Sequence, residues 1–189
     1  GGGRIGVLVE AKAENNDANK EALKNVAMQV AAMNPQYISR DNMSEKELAD
    51  LREVVVDSSL NTPETLAKPV LLQMIAQVQE ESLWSAEDLA AYEEQKNNLN
   101  YLFNFLSKEA KAVVAEQAMK NKETIIEDKI FSGLVEGRFA KQLKDICLLD
   151  QVYVKAEDGK QTVGKYLESV DKNMVITNMV RFEVGEGRS

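Results

Sequence analysis

The side chains that carry most acid–base and metal chemistry are scarce in this sequence. No histidine occurs among its 189 residues, which removes the commonest general base and the commonest transition-metal ligand. Cys147 is the single cysteine; as a nucleophile it would need a base, and no imidazole exists to supply one, so a small core or interface residue is the simpler assignment. A lone cysteine also excludes an internal disulfide and a thiolate metal cluster, and points to a reducing, cytoplasmic compartment. Glu123, Glu127 and Asp128 lie close together on a predicted helix. Carboxylates that bind metal or exchange protons converge from several elements, however, and one helix alone offers a solvated face. The glycines at residues 1–3 and Gly185-Glu186-Gly187 do not sit between a strand and a following helix, and no Gly-Lys-Ser/Thr follows either, so terminal turns are expected rather than a phosphate loop. The residue types therefore point to no catalytic residue, no metal and no cofactor. Binding, not bond-making, is the expected activity.

Composition narrows the partners. The apolar fraction of 44% is enough for a packed core, and the net charge of −8 argues against a broad nucleic-acid or anionic-membrane surface, because both require clustered Lys and Arg. No apolar run approaches the length that spans a bilayer. A protein partner fits best. The first residue is Gly, not Met, and the chain is expected to be a fragment of something longer or a processed product.

The elements that must position any binding surface can be placed from periodicity. Ile5, Val7 and Val9 alternate with Arg4, Gly6 and Leu8 as a largely buried strand. After the turn-forming run Ala-Glu-Asn-Asn-Asp-Ala-Asn-Lys, residues Leu23, Val26, Ala27, Val30 and Ala31 recur at helical spacing, and the helix ends at Asn34-Pro35. Ser44 with Glu47 opens a second helix; Thr62-Pro63 and Pro69 begin further ones, the latter carrying Leu71, Met74, Ile75 and Val78. Ser85 with Asp88 starts a segment in which Tyr92, Leu99, Leu106 and Val113 repeat every seven residues, with Phe103 in the alternate seam. A continuous helix over residues 87–121 would reach roughly 50 Å. A further helix over residues 124–147 presents Ile126, Ile130, Leu134 and Leu143, and adjacent long helices pack antiparallel. Strand character returns at Gln151, followed by an Asp-Gly turn, a short helix over residues 163–169 and a final strand over residues 174–184.

The expected fold is α+β: a small antiparallel sheet of about three strands with helices on one face, and an inserted coiled-coil arm. The base takes residues 1–52 and 122–189, and the arm takes residues 53–121, its last helix running on to about 147. Trp84 is expected to pack the bend of the arm.

Five blocks, taken in order, resemble the C-terminal half of the core of the bacterial elongation factor Ts family: Gly-Gly-Gly-Arg-Ile-Gly-Val-Leu-Val-Glu, Leu-Lys-Asn-Val-Ala-Met-Gln-Val-Ala-Ala-Met-Asn-Pro-Gln-Tyr-Ile-Ser-Arg-Asp, Leu-Val-Glu-Gly-Arg-Phe-Ala-Lys-Gln-Leu-Lys-Asp-Ile-Cys-Leu-Leu-Asp-Gln-Val-Tyr-Val-Lys, Thr-Val-Gly-Lys-Tyr-Leu-Glu-Ser and Val-Arg-Phe-Glu-Val-Gly-Glu-Gly. Residues 53–108 have no recognised counterpart in the resemblance. The resemblance implies a guanine-nucleotide exchange factor for elongation factor Tu, a half-core known as the dimerisation domain, hence a possible homodimer, and an arm that reaches the nucleotide-binding domain of the partner. The docking strand Gln-Pro-Phe-Val of that family falls on Gln151, Val152, Tyr153 and Val154, so partner contacts are expected at Gln151, Tyr153, Val154 and the following Lys155. The Thr-Asp-Phe-Val wedge of the other half-core is absent, and its place after the first strand is taken by the polar Glu-Ala-Lys-Ala-Glu-Asn-Asn-Asp-Ala-Asn. This chain is accordingly expected to dock without exchanging nucleotide alone. Two alternatives stay open: a structural module that oligomerises through the Tyr92–Leu99–Phe103–Leu106–Val113 seam, and an enzyme using carboxylates at a divalent ion.

Overall fold

The structure, a computed structural model, describes residues 4–184. The terminal glycine runs at residues 1–3 and 185–187, expected as turns, lie outside the described residues. The chain divides into two compact units: a terminal unit of residues 1–45 and 140–189, and a central unit of residues 46–139.

In the terminal unit, β1 (Arg4–Lys12) pairs antiparallel with β2 (Val175–Val184). Among the described residues the sheet has two strands, not the three expected. The third candidate, beginning at Gln151, makes only an isolated bridge, Val152 to Thr162, because the chain turns at Asp158-Gly159 before a ladder can extend. Gly159 has φ +67°, and Asp158 Oδ1 accepts from the N–H groups of Lys160 and Gln161, which holds that carboxyl below its ordinary pKa.

Side-chain alternation gives the β1–β2 ribbon two faces. Val7, Val9, Ala11, Met179 and Ile176 turn toward α1 (Asp17–Met33). Leu8, Val180 and Phe182 stand on the outer face in solvent. Gly6 lies opposite Phe182, whose ring covers it so closely that a Cβ would sit 2.3 Å from the ring Cζ. Helix α1 is capped by Asn16, whose side chain accepts from Asn19 N–H at 2.8 Å, and it ends where Asn34 takes the left-handed conformation before Pro35. Arg181, on the inner face, donates from Nε and Nη2 to the Ala31 carbonyl in the last turn of α1, a favourable place for a cation. Ala22, Val26 and Val30 of α1 meet Leu148, Tyr153, Met174, Ile176 and the short helix α9 (Val163–Val170) in one core. Cys147, just before Leu148, is also fully buried, and burial pushes its thiol pKa up, the opposite of what a nucleophile needs.

The central unit is helical. α2 (Glu45–Leu60) starts directly after Ser44, α3 (Lys68–Glu80) has Pro69 in its first turn, and α4 (Ala86–Gln95) is capped by Ser85. The long helix expected over residues 87–121 is replaced by α4, a single turn α5 (Leu99–Leu102), and α6 (Lys108–Lys120). Chain reversal, not coiled coil, follows from Asp88. Its Oδ1 accepts from the Ser107 N–H at 2.9 Å, and its Oδ2 accepts from the Ser107 and Ser85 hydroxyls at 2.8 and 3.0 Å. One buried carboxylate thus ties together the N-caps of α4 and α6. Burial alone would raise its pKa, but these donors outweigh it and hold the carboxyl below its ordinary value.

The seam residues Tyr92, Leu99, Phe103, Leu106 and Val113 consequently lie on three helices and the turns between them, each only half-buried. The stripe that α6 buries is Ala110, Val114, Gln117 and Ala118. Leu71, Met74, Ile75 and Val78 are the buried positions of α3, and Trp84 is buried with its indole N–H on the Ala110 carbonyl at 3.0 Å. A similar shift affects the next segment. Asp128 Oδ2 accepts from Phe131 N–H at 2.9 Å, breaking the expected helix into α7 (Lys122–Ile125) and α8 (Lys129–Ile146). Phe131, Val135, Phe139 and Leu143 are buried, while Ile126 and Ile130 are exposed. No helix among the described residues is long and apolar enough to cross a membrane.

Candidate functional site

The stretch Gln151–Lys155 lies between the short 3-10 turn Leu148–Asp150 and the Asp158-Gly159 turn. Its backbone is anchored on one edge by two hydrogen bonds to the next segment: Tyr153 N–H to Gln161 O at 2.8 Å, and Val163 N–H to Gln151 O at 2.9 Å. From Gln151 to Tyr153 the extended backbone sends successive side chains to opposite sides, and at Val154 it enters a turn that Ala156 N–H closes on Tyr153 O at 3.0 Å. Gln151 and Tyr153 are therefore buried, at 3% and 5% exposure, while Val152 and Val154 are each 49% exposed.

This alternation divides the expected contact residues. Tyr153 points into the core, where its ring stacks on Tyr166 at 4.2 Å between centroids. Burial, reinforced by hydrogen bonding to Tyr166, pushes its pKa up to about 12. Gln151 is also internal: its Nε2 donates to Asp145 O at 2.7 Å. Neither side chain is free to meet a partner, because the core claims both. Val154 faces outward, and so does Val152, which lies outside the expected contact set but carries an equal share of exposed surface. Lys155 is exposed, and its ammonium donates to Asn25 Oδ1 at 2.9 Å; Asn25 in turn donates to the Tyr166 hydroxyl at 2.9 Å. The result is a firm apolar ridge, Val152 and Val154, with an oriented cation beside it.

The other concavities offer less. The most apolar groove, about 410 Å³ within the central unit, is lined by Ala49, Val56, Ile126, Phe131 and Val135. Its rim charges pair with one another: Lys122 with Glu53 and Asp57, and Arg52 with Glu136. The hydrogen bond to Asp57, then that to Glu53, raises the Lys122 pKa. Among the described residues no three His, Cys, Asp or Glu side chains gather as a metal site. Glu123, Glu127 and Asp128 do not converge; Asp128 is occupied as a helix cap.

Comparison with known proteins bears on what such a ridge serves. The family model described as Elongation factor TS matches residues 1–186. Elongation factor Ts of Clostridioides difficile is 33% identical over 190 residues, covering 99% of this chain and 42% of its own length. The same factor from Halothermothrix orenii is 28% identical, with 98% and 40% covered, and that of Alkaliphilus metalliredigens is 31% identical, with 98% and 61% covered. These matches run through residues 53–108 as well, so that stretch has counterparts in relatives after all. The chain spans between two-fifths and three-fifths of the length of these curated relatives. With a match over nearly all its residues, this chain belongs to the elongation factor Ts family.

Proposed function

We propose that this chain is the docking half of the core of a translation elongation factor, acting in the cytoplasm as part of a guanine-nucleotide exchange factor for elongation factor Tu. The observation that carries the reading is the outward pair Val152 and Val154, fixed on the buried Gln151 and Tyr153, at the position where the family's docking strand falls. Exchange requires no acid, base or metal from the factor. A protein that binds the nucleotide-free GTPase more tightly than the nucleotide-bound form must weaken nucleotide binding by the same factor. Differential contact is sufficient, which suits a chain without histidine. In this reading the terminal unit supplies affinity and position. Because no Thr-Asp-Phe wedge occurs in the sequence, the chain alone docks without accelerating GDP release.

Calorimetric titration of the chain into nucleotide-free elongation factor Tu tests the reading. Binding is expected, weakened about tenfold by Val154→Asp with no loss of thermal stability, since the replaced side chain is half in solvent. Release of labelled GDP is expected to stay at its intrinsic rate. Absence of binding by the parent chain would overturn the proposal. Self-association is a second reading, favoured by Leu8, Val180 and Phe182 on the outer face of the ribbon. Light scattering would then give twice the chain mass, returning to one in Phe182→Asp.

A further inference from the structure

Gln29 is the most conspicuous polar side chain in the terminal unit. It lies on the buried face of α1 between Val26 and Val30 and is 0% exposed. Its Nε2 donates to the Val152 carbonyl at 3.0 Å and to Gln151 Oε1 at 3.2 Å, and its Oε1 accepts from the Val154 N–H at 2.8 Å. The partners fix the orientation of the amide: a flipped group would set donor against donor at Val154 and carbonyl against carbonyl at Val152.

This pattern has the form of a β-ladder. A residue on a parallel neighbouring strand donates to one carbonyl and accepts from the N–H two residues further on, which is what Gln29 does around Tyr153. One edge of the 151–154 backbone is held by Gln161 and Val163, and the other edge is held by a single side-chain amide. Over one residue, the Gln29 amide takes the place that a neighbouring strand would hold along this edge. With both edges held, Tyr153 is kept inward and the two valines outward.

We infer that Gln29 is a positioning residue for partner docking: without touching the partner, it keeps the Val152–Val154 backbone in the conformation that presents the ridge. The inference rests on the docking reading above and assigns its pre-organising group. If that backbone is released and is binding-competent only a tenth of the time, the apparent affinity falls tenfold without any contact being removed.

The test uses the whole chain and nucleotide-free elongation factor Tu. Gln29→Met keeps the volume and removes the amide. Val30→Ala, in the same core but without a bond to residues 151–154, serves as the destabilised control. Amide hydrogen exchange at Val154 is expected to accelerate at least tenfold in Gln29→Met and to stay at the parent rate in Val30→Ala. Partner affinity is expected to fall about tenfold in the first and to change less than twofold in the second. If Gln29→Met does not fold, Gln29→Leu is measured in its place; it also removes both the donor for Val152 and the acceptor for Val154, and the same loss of affinity is expected. A parent chain that binds while the Gln29 variant binds within twofold of it would overturn this inference and leave the docking proposal standing. So would equal losses in the Gln29 and Val30 variants, since these would make the role structural only. A parent chain that does not bind removes the docking proposal and this inference with it.

Discussion

Replacing Asp88 with alanine distinguishes the observed central unit from the continuous helix that heptad spacing suggests, because the two arrangements predict losses of different size. In an uninterrupted helix Asp88 serves only as the first-turn partner of Ser85, and alanine would cost at most about 1 kcal/mol. In the structure the carboxylate accepts from Ser107 N–H, Ser107 Oγ and Ser85 Oγ while 8% exposed. A hydrogen bond to a charged group contributes about 1.5–3 kcal/mol, and a buried donor left without a partner costs about 1–3 kcal/mol. The hydroxyls can turn to water, but the Ser107 N–H is fixed by the backbone, so a net loss of about 3 kcal/mol is expected. With a urea slope of about 1.5 kcal/mol/M this lowers the midpoint by about 2 M. Trp84 is the only tryptophan, is buried, and packs against Tyr92 at 6.0 Å, so its emission follows the central unit specifically. Acid supplies an internal check. The folded pKa of Asp88 is depressed, so its contribution is present above the ordinary carboxylate pKa near 3.9 and disappears as pH falls through the lower folded value. The gap between the parent chain and Asp88→Asn should close in that window. An Asp88→Ala chain that loses no more than about 1 kcal/mol would refute the three-donor account.

Two further outcomes follow from the terminal unit. Gly6→Ala pushes a methyl into the Phe182 ring, whose exposed, flexible end can swing away; a loss of about 0.5–1 kcal/mol in urea denaturation is expected. In a Phe182→Ala background the sign should reverse, because alanine outperforms glycine in a strand once the ring is gone. Tyr153, with its pKa at about 12, is held neutral by the fold while an unfolded tyrosine ionises near 10. Its contribution is complete below pH 10 and is lost between 10 and about 12, by about 3 kcal/mol at most. Tyr153→Phe should remove that part of the alkaline loss, read as a flatter melting temperature against pH.

Local signals in the sequence located most elements, and the failures share one physical cause. Asn16 and Asn34-Pro35, Pro69, Ser85 and the Asp-Gly turn are chemical punctuation, and the structure places helix or turn boundaries at each. Periodicity without punctuation misled. Tyr92 to Val113 repeats every seven residues across Asn97-Asn98 and Ser107, which are themselves turn and cap residues, and the heptad count passed over them. The second stripe, Ile126 and Ile130, is offset from the buried Phe131 and Val135 because Asp128 restarts the helix in a new phase. At the Val152–Val154 ridge the sequence shows an alternating stretch, but its parity is undetermined from within. A one-residue slip would exchange Tyr153 for Val154. What settles it is Gln29, more than a hundred residues away in the chain, with no local pattern to announce it.

The β1–β2 ribbon joins Arg4 to Val184, so it encloses nearly the entire described chain, and this has a temporal consequence. Its partner strand is made only after everything between them. At roughly 5–20 residues per second of synthesis, β1 waits on the order of ten seconds after it is made, with Val7 and Val9 uncovered by their strand partners and its backbone unpaired. Closing so long a loop adds little to the thermodynamic cost, because that cost grows only with the logarithm of its length. It does fix an order of events: the central unit, whose contacts are complete by residue 139, can be finished before the ribbon begins. During that interval β1 is an exposed edge, and the charges of Arg4, Glu10 and Lys12 along it are what the nascent chain has to keep other strands away.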